Sequence, residues 1–174
     1  QALQVANKAM ALDSTRADVR LAYARTALRN RDKALRTRGA DMYATLPDSV
    51  SLQAEDYVLL AGYEIDSGRL DEARHHLDQA EKADSSYAET YFQFGMLAFK
   101  NNQPDSAIVS FERAIKRDPK VALYQLNLGV AYFQANQIEK AKPALRRAIA
   151  LDKRPVMGHV LLGQALVSSD SLAA

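Results

Sequence analysis

The chain has 174 residues, 48% of them hydrophobic and 25% charged, with a formal net charge of +2. This is the composition of an ordinary globular domain rather than a disordered segment, and the near-even charge argues against a protein that holds nucleic acid along its whole surface. Cysteine is absent, which excludes disulfide frameworks, thiolate metal sites and cysteine nucleophiles, and the longest nearly apolar run, residues 156–167, is too short to span a membrane.

The elements follow a repeat. Leu60, Phe94, Leu128 and Leu162 stand 34 residues apart. So do Ile65, Phe99, Phe133 and Val167; Gly95, Gly129 and Gly163; Ala73, Ala107 and Ala141; Leu77, Phe111 and Leu145; Ala80, Ala114 and Ala148; and Asp84, Asp118 and Asp152. A shared period over so many columns is the mark of a repeat architecture. In chain order, residues 1–16 read as the second half of a repeat, with Ala2 and Ala9 seven apart, and residues 17–53 as a longer, divergent copy. Residues 54–87, 88–121 and 122–155 are three copies of equal length. Residues 156–168 read as one more first helix, and Leu172 falls in the column of Leu70, Pro104 and Ile138, where second helices begin. Such a frame predicts a single array, a piece of a longer one, since solenoid ends carry capping elements.

Within each copy the two helices differ. The second, over residues 105–117, puts Ala107, Ile108, Phe111, Ala114 and Ile115 on one stripe and Ser106, Glu112, Arg113 and Lys116 away from it, which predicts an outer amphipathic helix. The first, over residues 89–100, is apolar almost all round, so it is enclosed or offers one face to a partner. Gly recurring at one helical phase costs about 1 kcal/mol per copy and needs a close approach to justify it. Asn101-Asn102-Gln103-Pro104-Asp105 and Asp66-Ser67-Gly68-Arg69 supply turn and helix-start chemistry between the two.

These columns resemble the tetratricopeptide repeat, a 34-residue helix-turn-helix with a small residue at position 8, Ala at 20 and 27, large apolar residues at 7 and 24, and often Pro at 32, where Pro119 stands. The resemblance covers nearly the whole chain and is most specific over residues 54–155. It implies an all-α, right-handed solenoid of about ten helices in antiparallel pairs, with Ala107 or Ala141 as the small partner of the position-8 glycine. It also implies a non-catalytic scaffold for a protein or peptide partner within a larger assembly. First helices then line a concave groove, and positions 5, 9 and 12 read Val58, Gly62 and Ile65; Phe92, Met96 and Phe99; Leu126, Val130 and Phe133; and Val160, Gln164 and Val167. An apolar groove of this kind suits an amphipathic helix or extended peptide; packing between repeats is the competing role for Phe99 and Phe133. Chaperone-binding members clamp a carboxylate with Lys and Asn, but the matching positions here hold Leu21, Arg25, Leu59, Glu89 and Gln93, so that mode is not expected. The rival reading is a structural spacer or regulatory arm whose groove is filled by the protein's own flanking helix.

Charge is polarised along the chain. Residues 16–38 hold eight basic side chains against Asp18 and Asp32, while residues 54–89 hold ten acidic ones against Arg69, Arg74 and Lys82. Neighbouring repeats of opposite sign can compensate each other, yet Arg25 and Arg29 at positions 9 and 13 would point into the groove as a charged end for an acidic segment or phosphate. Only Tyr23 interleaves the basic run, which argues against a stacking platform for single-stranded nucleic acid. His75 and His76 project about 100° apart on a helix and do not share a metal; Asp71 with His75 and Glu72 with His76 suit surface pairing. His159 aligns with Tyr57, Tyr91 and Gln125, which predicts packing between repeats. No phosphate-binding, dinucleotide, zinc-protease or nucleophile-elbow motif is present, and neither an enzyme nor a cofactor is expected. The compartment stays open: many bacterial members of the family work in the cell envelope, and a chain without cysteine is compatible with that and with the cytoplasm.

Overall fold

The structure, a computed structural model, describes residues 2–153 and 156–170. Among these residues all regular elements are helices, and the chain divides into two compact units, residues 1–85 and 86–174. The first contains α1 (Ala2–Leu12), α2 (Ala17–Leu28), α3 (Lys33–Ala44), α4 (Ala54–Ser67) and α5 (Leu70–Ala83). The second contains α6 (Ala88–Lys100), α7 (Pro104–Arg117), α8 (Ala122–Gln134), α9 (Ile138–Leu151) and α10 (Val156–Asp170). Leu172, expected to open a further helix, lies outside the described residues.

The helix pairs follow the repeat frame. α4 packs on α5, α6 on α7 and α8 on α9, each joined by a two- or three-residue turn. Gly68, Asn102 and Asn136, all at position 15 of their repeats, adopt left-handed backbone with φ of 79°, 54° and 56°. Glycine and asparagine are the residues that tolerate this conformation at a helix end. The next amide then reaches back across the last helical turn: Gln103 donates to the carbonyl of Ala98 at 2.9 Å and Gln137 to that of Tyr132 at 2.8 Å. The divergent copy has Arg31 at this position and instead starts α3 with Asp32, whose carboxylate accepts the Leu35 amide at 2.9 Å.

The recurrent glycines serve close approach between paired helices, though not to the residue expected. A Cβ on Gly95 would lie 2.3 Å from the Phe111 ring, and one on Gly129 2.6 Å from Leu145 Cδ2. The large position-24 side chain, not Ala107 or Ala141, fills the space that glycine leaves, and both Phe111 and Leu145 are fully buried. Gly163 has no atom within 4 Å of such a Cβ; the residues that follow α10 lie outside the described range. In the second unit the core runs through Tyr91, Phe92, Phe111, Tyr124 and Leu128, with Phe92 between Phe111 and Tyr124 at ring separations of 5.6 and 5.1 Å. α7 buries Ala107, Ile108, Phe111 and Ala114 and leaves Ser106, Glu112, Arg113 and Lys116 in water, as its stripe predicts.

Candidate functional site

Two groups of side chains were expected to meet a partner, one charged and one apolar. The charged group is satisfied inside the first unit. α2 carries Arg25 on the face toward α4, and its guanidinium donates to both oxygens of Asp56, through Nε at 2.6 Å and a terminal nitrogen at 2.8 Å. Asp56 is fully buried and also accepts from the Tyr43 hydroxyl at 2.7 Å and from the Gln53 amide at 2.8 Å. Burial alone would raise the Asp56 carboxyl. The donors from Arg25, Gln53 and Tyr43 outweigh it, holding the group below the usual carboxylate range. Tyr43 moves the other way, raised by burial and by the carboxylate it donates to. One carboxylate therefore ties α2, α3 and the start of α4 together. Arg29 pairs with Glu55, and Arg36 with Asp66 at 2.7 Å. The expectation that Arg25 and Arg29 form a charged end for a partner is thus corrected: the acidic repeat 54–87 takes both, because it stacks directly beside the basic one.

The histidines also depart from expectation. His76 meets Glu64 of α4 at 2.7 Å rather than Glu72 on its own helix, and stacks on Tyr57 at 6.3 Å. Glu64 is 4% exposed, so the pair joins α4 to α5 instead of decorating a surface. His159 is exposed and does not pack between repeats; its counterpart Tyr91 is covered by Arg113 and Arg117 from the second helix of its own repeat, and the residues that would follow α10 are outside the described range.

The apolar group separates by burial. Val58, Ile65 and Phe92 are 4%, 2% and 6% exposed and belong to the interior, which corrects their expected place on a groove. For Phe92 the cause is the aromatic stack with Phe111 and Tyr124. Phe99 lies 5.3 Å from Phe111, and both Phe99 and Met96 are partly buried against the same core. Leu126, Val130 and Phe133 on α8 keep part of their surface in water, while Val160 and Gln164 on α10 are exposed. Leu123, at position 2 of its repeat, is 50% exposed and extends the α8 row; it was not singled out from the sequence. α8 and α10 touch within the second unit. Among the described residues no group of three metal-ligating side chains converges and no helix is long and apolar enough to cross a membrane.

The family model described as "Tetratricopeptide repeat" matches residues 92–155. No curated protein sequence matches the chain. Among solved structures, TTC0263, a thermophilic tetratricopeptide repeat protein of Thermus thermophilus, is similar with a TM-score of 0.75 and 18% identity, over 95% of this chain and 89% of that one. YrrB, described as having an unusual peptide-binding site, aligns with a TM-score of 0.66 and 23% identity over 90% and 79% of the two chains. The first such domain of Spaghetti (RPAP3), bound to an HSP90 peptide, gives 0.64 and 18% over 70% and 94%. Sequence periodicity, paired helices, the family match over residues 92–155 and these shared folds agree: residues 92–155 match the tetratricopeptide repeat, and the helix pairs of the chain have the all-α fold of tetratricopeptide repeat proteins.

Proposed function

We infer that the chain is a non-catalytic scaffold whose second unit receives an apolar or amphipathic helix, or an extended peptide, along α8 and α10. The observation that carries this reading is the row Leu123, Leu126, Val130 and Phe133 on α8 beside Val160, Gln164 and Val167 on α10. Leu123 and Val160 are 50% and 49% exposed and Val167 is 71% exposed, at helical spacing on two touching helices. Contiguous apolar surface is costly in water, and helix-in-groove recognition uses anchors at this spacing. Met96 and Phe99 would border the site rather than form its centre. The peptides named with YrrB and with Spaghetti belong to those proteins; they support peptide binding here only through the shared fold. No carboxylate clamp enters the proposal, because its Lys and Asn positions are occupied by other residues.

The test is capture of partners from the source cells by wild type, by the Leu123→Glu, Val160→Glu double variant and by Val109→Glu, which alters an exposed apolar residue of α7 outside the row. Loss of the partner in the double variant alone is the expected result. Equal capture by all three would remove the reading. The rival, a spacer whose α10 face is covered by the protein's own flanking segment, draws on Gly163, whose counterparts Gly95 and Gly129 are each covered by a large side chain. In that case α10 amides of the full-length protein would be protected from exchange with no partner added.

A further inference from the structure

Arg25, Arg29 and Arg36 pair with acidic residues, and two other cations of the basic segment, the half-buried Arg20 and the exposed Arg38, share a different place. Arg20 on α2 donates to the Thr45 hydroxyl and, at 3.3 Å, to the Met42 sulfur. Neither Arg20 nor Arg38 forms an ion pair among the described residues. Both line one open cavity of about 580 Å³ between α1, α2 and α3, wholly within the first unit. Its floor is apolar: Met10, Tyr23 and Met42 belong to or pack against the small core cluster that holds Ala6 and Ala27. Among the described residues Asp41 is the one carboxylate on the lining, so the cavity keeps a surplus of positive charge.

A cavity of the second unit shares three repeat positions with this one. A cavity of about 470 Å³ against α8 and α9 is lined by Tyr132, Glu139, Lys140 and Ala144 and, at positions shared with the first-unit cavity, by Gln125, Leu128 and Pro143. Counting from the first residue of each repeat, these three positions are those of Arg20, Tyr23 and Arg38. Leu128 keeps the apolar character of Tyr23, whereas Gln125 and Pro143 replace the two guanidinium groups and Lys140 is the cation on that lining.

We propose that the α1–α3 cavity is a second docking site, distinct from the α8–α10 row, for an acidic peptide segment that inserts one apolar side chain between flanking carboxylates. The floor takes the side chain by burial, and Arg20 and Arg38 pair with carboxylates on either side of it. Guanidinium groups match carboxylate geometry with two parallel donors, and charge complementarity at a rim sets orientation and encounter rate. Asp41 disfavours a second carboxylate close to α3 and so restricts the register. The sequence-level expectation of an acidic ligand for the basic segment is retained in kind, while the residues that would meet it change from Arg25 and Arg29 to Arg20 and Arg38.

The probe is a panel of fluorescein-labelled hexapeptides with a single Leu, Ile, Met or Phe between paired glutamates, alongside the same peptides with Ala at the centre and with lysine replacing glutamate. Binding is followed by fluorescence polarisation at about 20 mM and 200 mM salt. The expected result is saturable binding of at least one apolar-centred acidic peptide, weakened about tenfold or more in Arg20→Gln, Arg38→Gln and by the higher salt, with the Ala-centred and lysine peptides much weaker. Arg38→Gln alone, at an exposed side chain, guards against a folding defect and should weaken binding severalfold with an unchanged circular dichroism spectrum. Three outcomes each overturn the proposal: no member of the panel binds below about 1 mM, the Ala-centred peptides bind as well as the others, or the double variant binds unchanged.

Discussion

Replacing Asp56 by Asn keeps the side-chain shape and removes the charge around which three helices of the first unit are arranged. The carboxylate is fully buried and accepts four hydrogen bonds, two from Arg25, one from the Tyr43 hydroxyl and one from the Gln53 amide. An amide offers one acceptor oxygen and turns an NH2 group toward at least one of these donors. Removing one partner of a buried ion pair costs about 3–5 kcal/mol, and hydrogen bonds to charged groups contribute about 1.5–3 kcal/mol each. The Arg25 side chain is 30% exposed and can turn partly to water, which places the cost near the lower limit, about 3 kcal/mol. Urea unfolding followed by circular dichroism measures it, with exchange protection of α2–α4 amides reporting that the loss is local to that unit, as expected for nearest-neighbour stability in a solenoid. A cycle with Arg25→Gln should show coupling above about 1 kcal/mol, since the two groups share one network. The acid response supplies a second readout. Because the folded carboxyl lies below its unfolded value of about 3.9, its contribution is present above that pH and is lost as pH falls toward the folded value. Asp56→Asn should therefore lose less stability than wild type between about pH 4 and pH 2. A cost under about 1 kcal/mol with an unchanged acid profile would refute the assignment of Asp56 as the tie between these helices.

Further expectations concern single positions. The Thr90 hydroxyl is fully buried and has no hydrogen-bond partner among the described residues, so Thr90→Val should raise the unfolding free energy by about 1 kcal/mol in urea melts. Gly95→Ala would drive a methyl into the Phe111 ring, which is too enclosed to swing away; overpacking of about 1–3 kcal/mol should exceed the helix gain of about 1 kcal/mol, and Phe111→Leu in the same chain should recover part of the loss in a thermal melt. Pro143 stands inside α9 at an exposed position, where it removes the amide that would bond the Glu139 carbonyl. Pro143→Ala should stabilise by about 1–3 kcal/mol, read as an upward shift in the thermal midpoint.

The period of 34 was sufficient to place every described helix pair from α4 to α9, because glycine, alanine and large apolar columns recur wherever two helices press together. The turns at residues 66–69 and 101–105 were legible from their Gly, Asn and Pro, whereas the left-handed backbone at Gly68, Asn102 and Asn136 came from the structure. What the columns could not reveal was the division of apolar residues between core and surface. Positions 5 and 12 are large and apolar in each repeat, yet Phe92 is closed in by Tyr124 of the next helix pair while Val160 stands open. That difference depends on neighbours, not on residue type. Charge was ambiguous in a similar way. A run of eight cations beside a run of ten carboxylates is visible in the sequence, but only the geometry shows Arg25 turned onto Asp56 and Arg20 onto Thr45. Glu64 and His76 were hidden because their contact joins two helices, whereas i,i+4 spacing reads only one.

The most direct test of the scaffold reading is site-specific photo-crosslinking with benzoylphenylalanine placed singly at Leu123, Val130 and Val160, with Val109 as the outside position, in the source cells. Adducts of one partner from the three row positions and none from Val109 are the predicted result. Crosslinks that arise at Val109 and are absent from the α8–α10 row would contradict the assignment of that row as the interaction face.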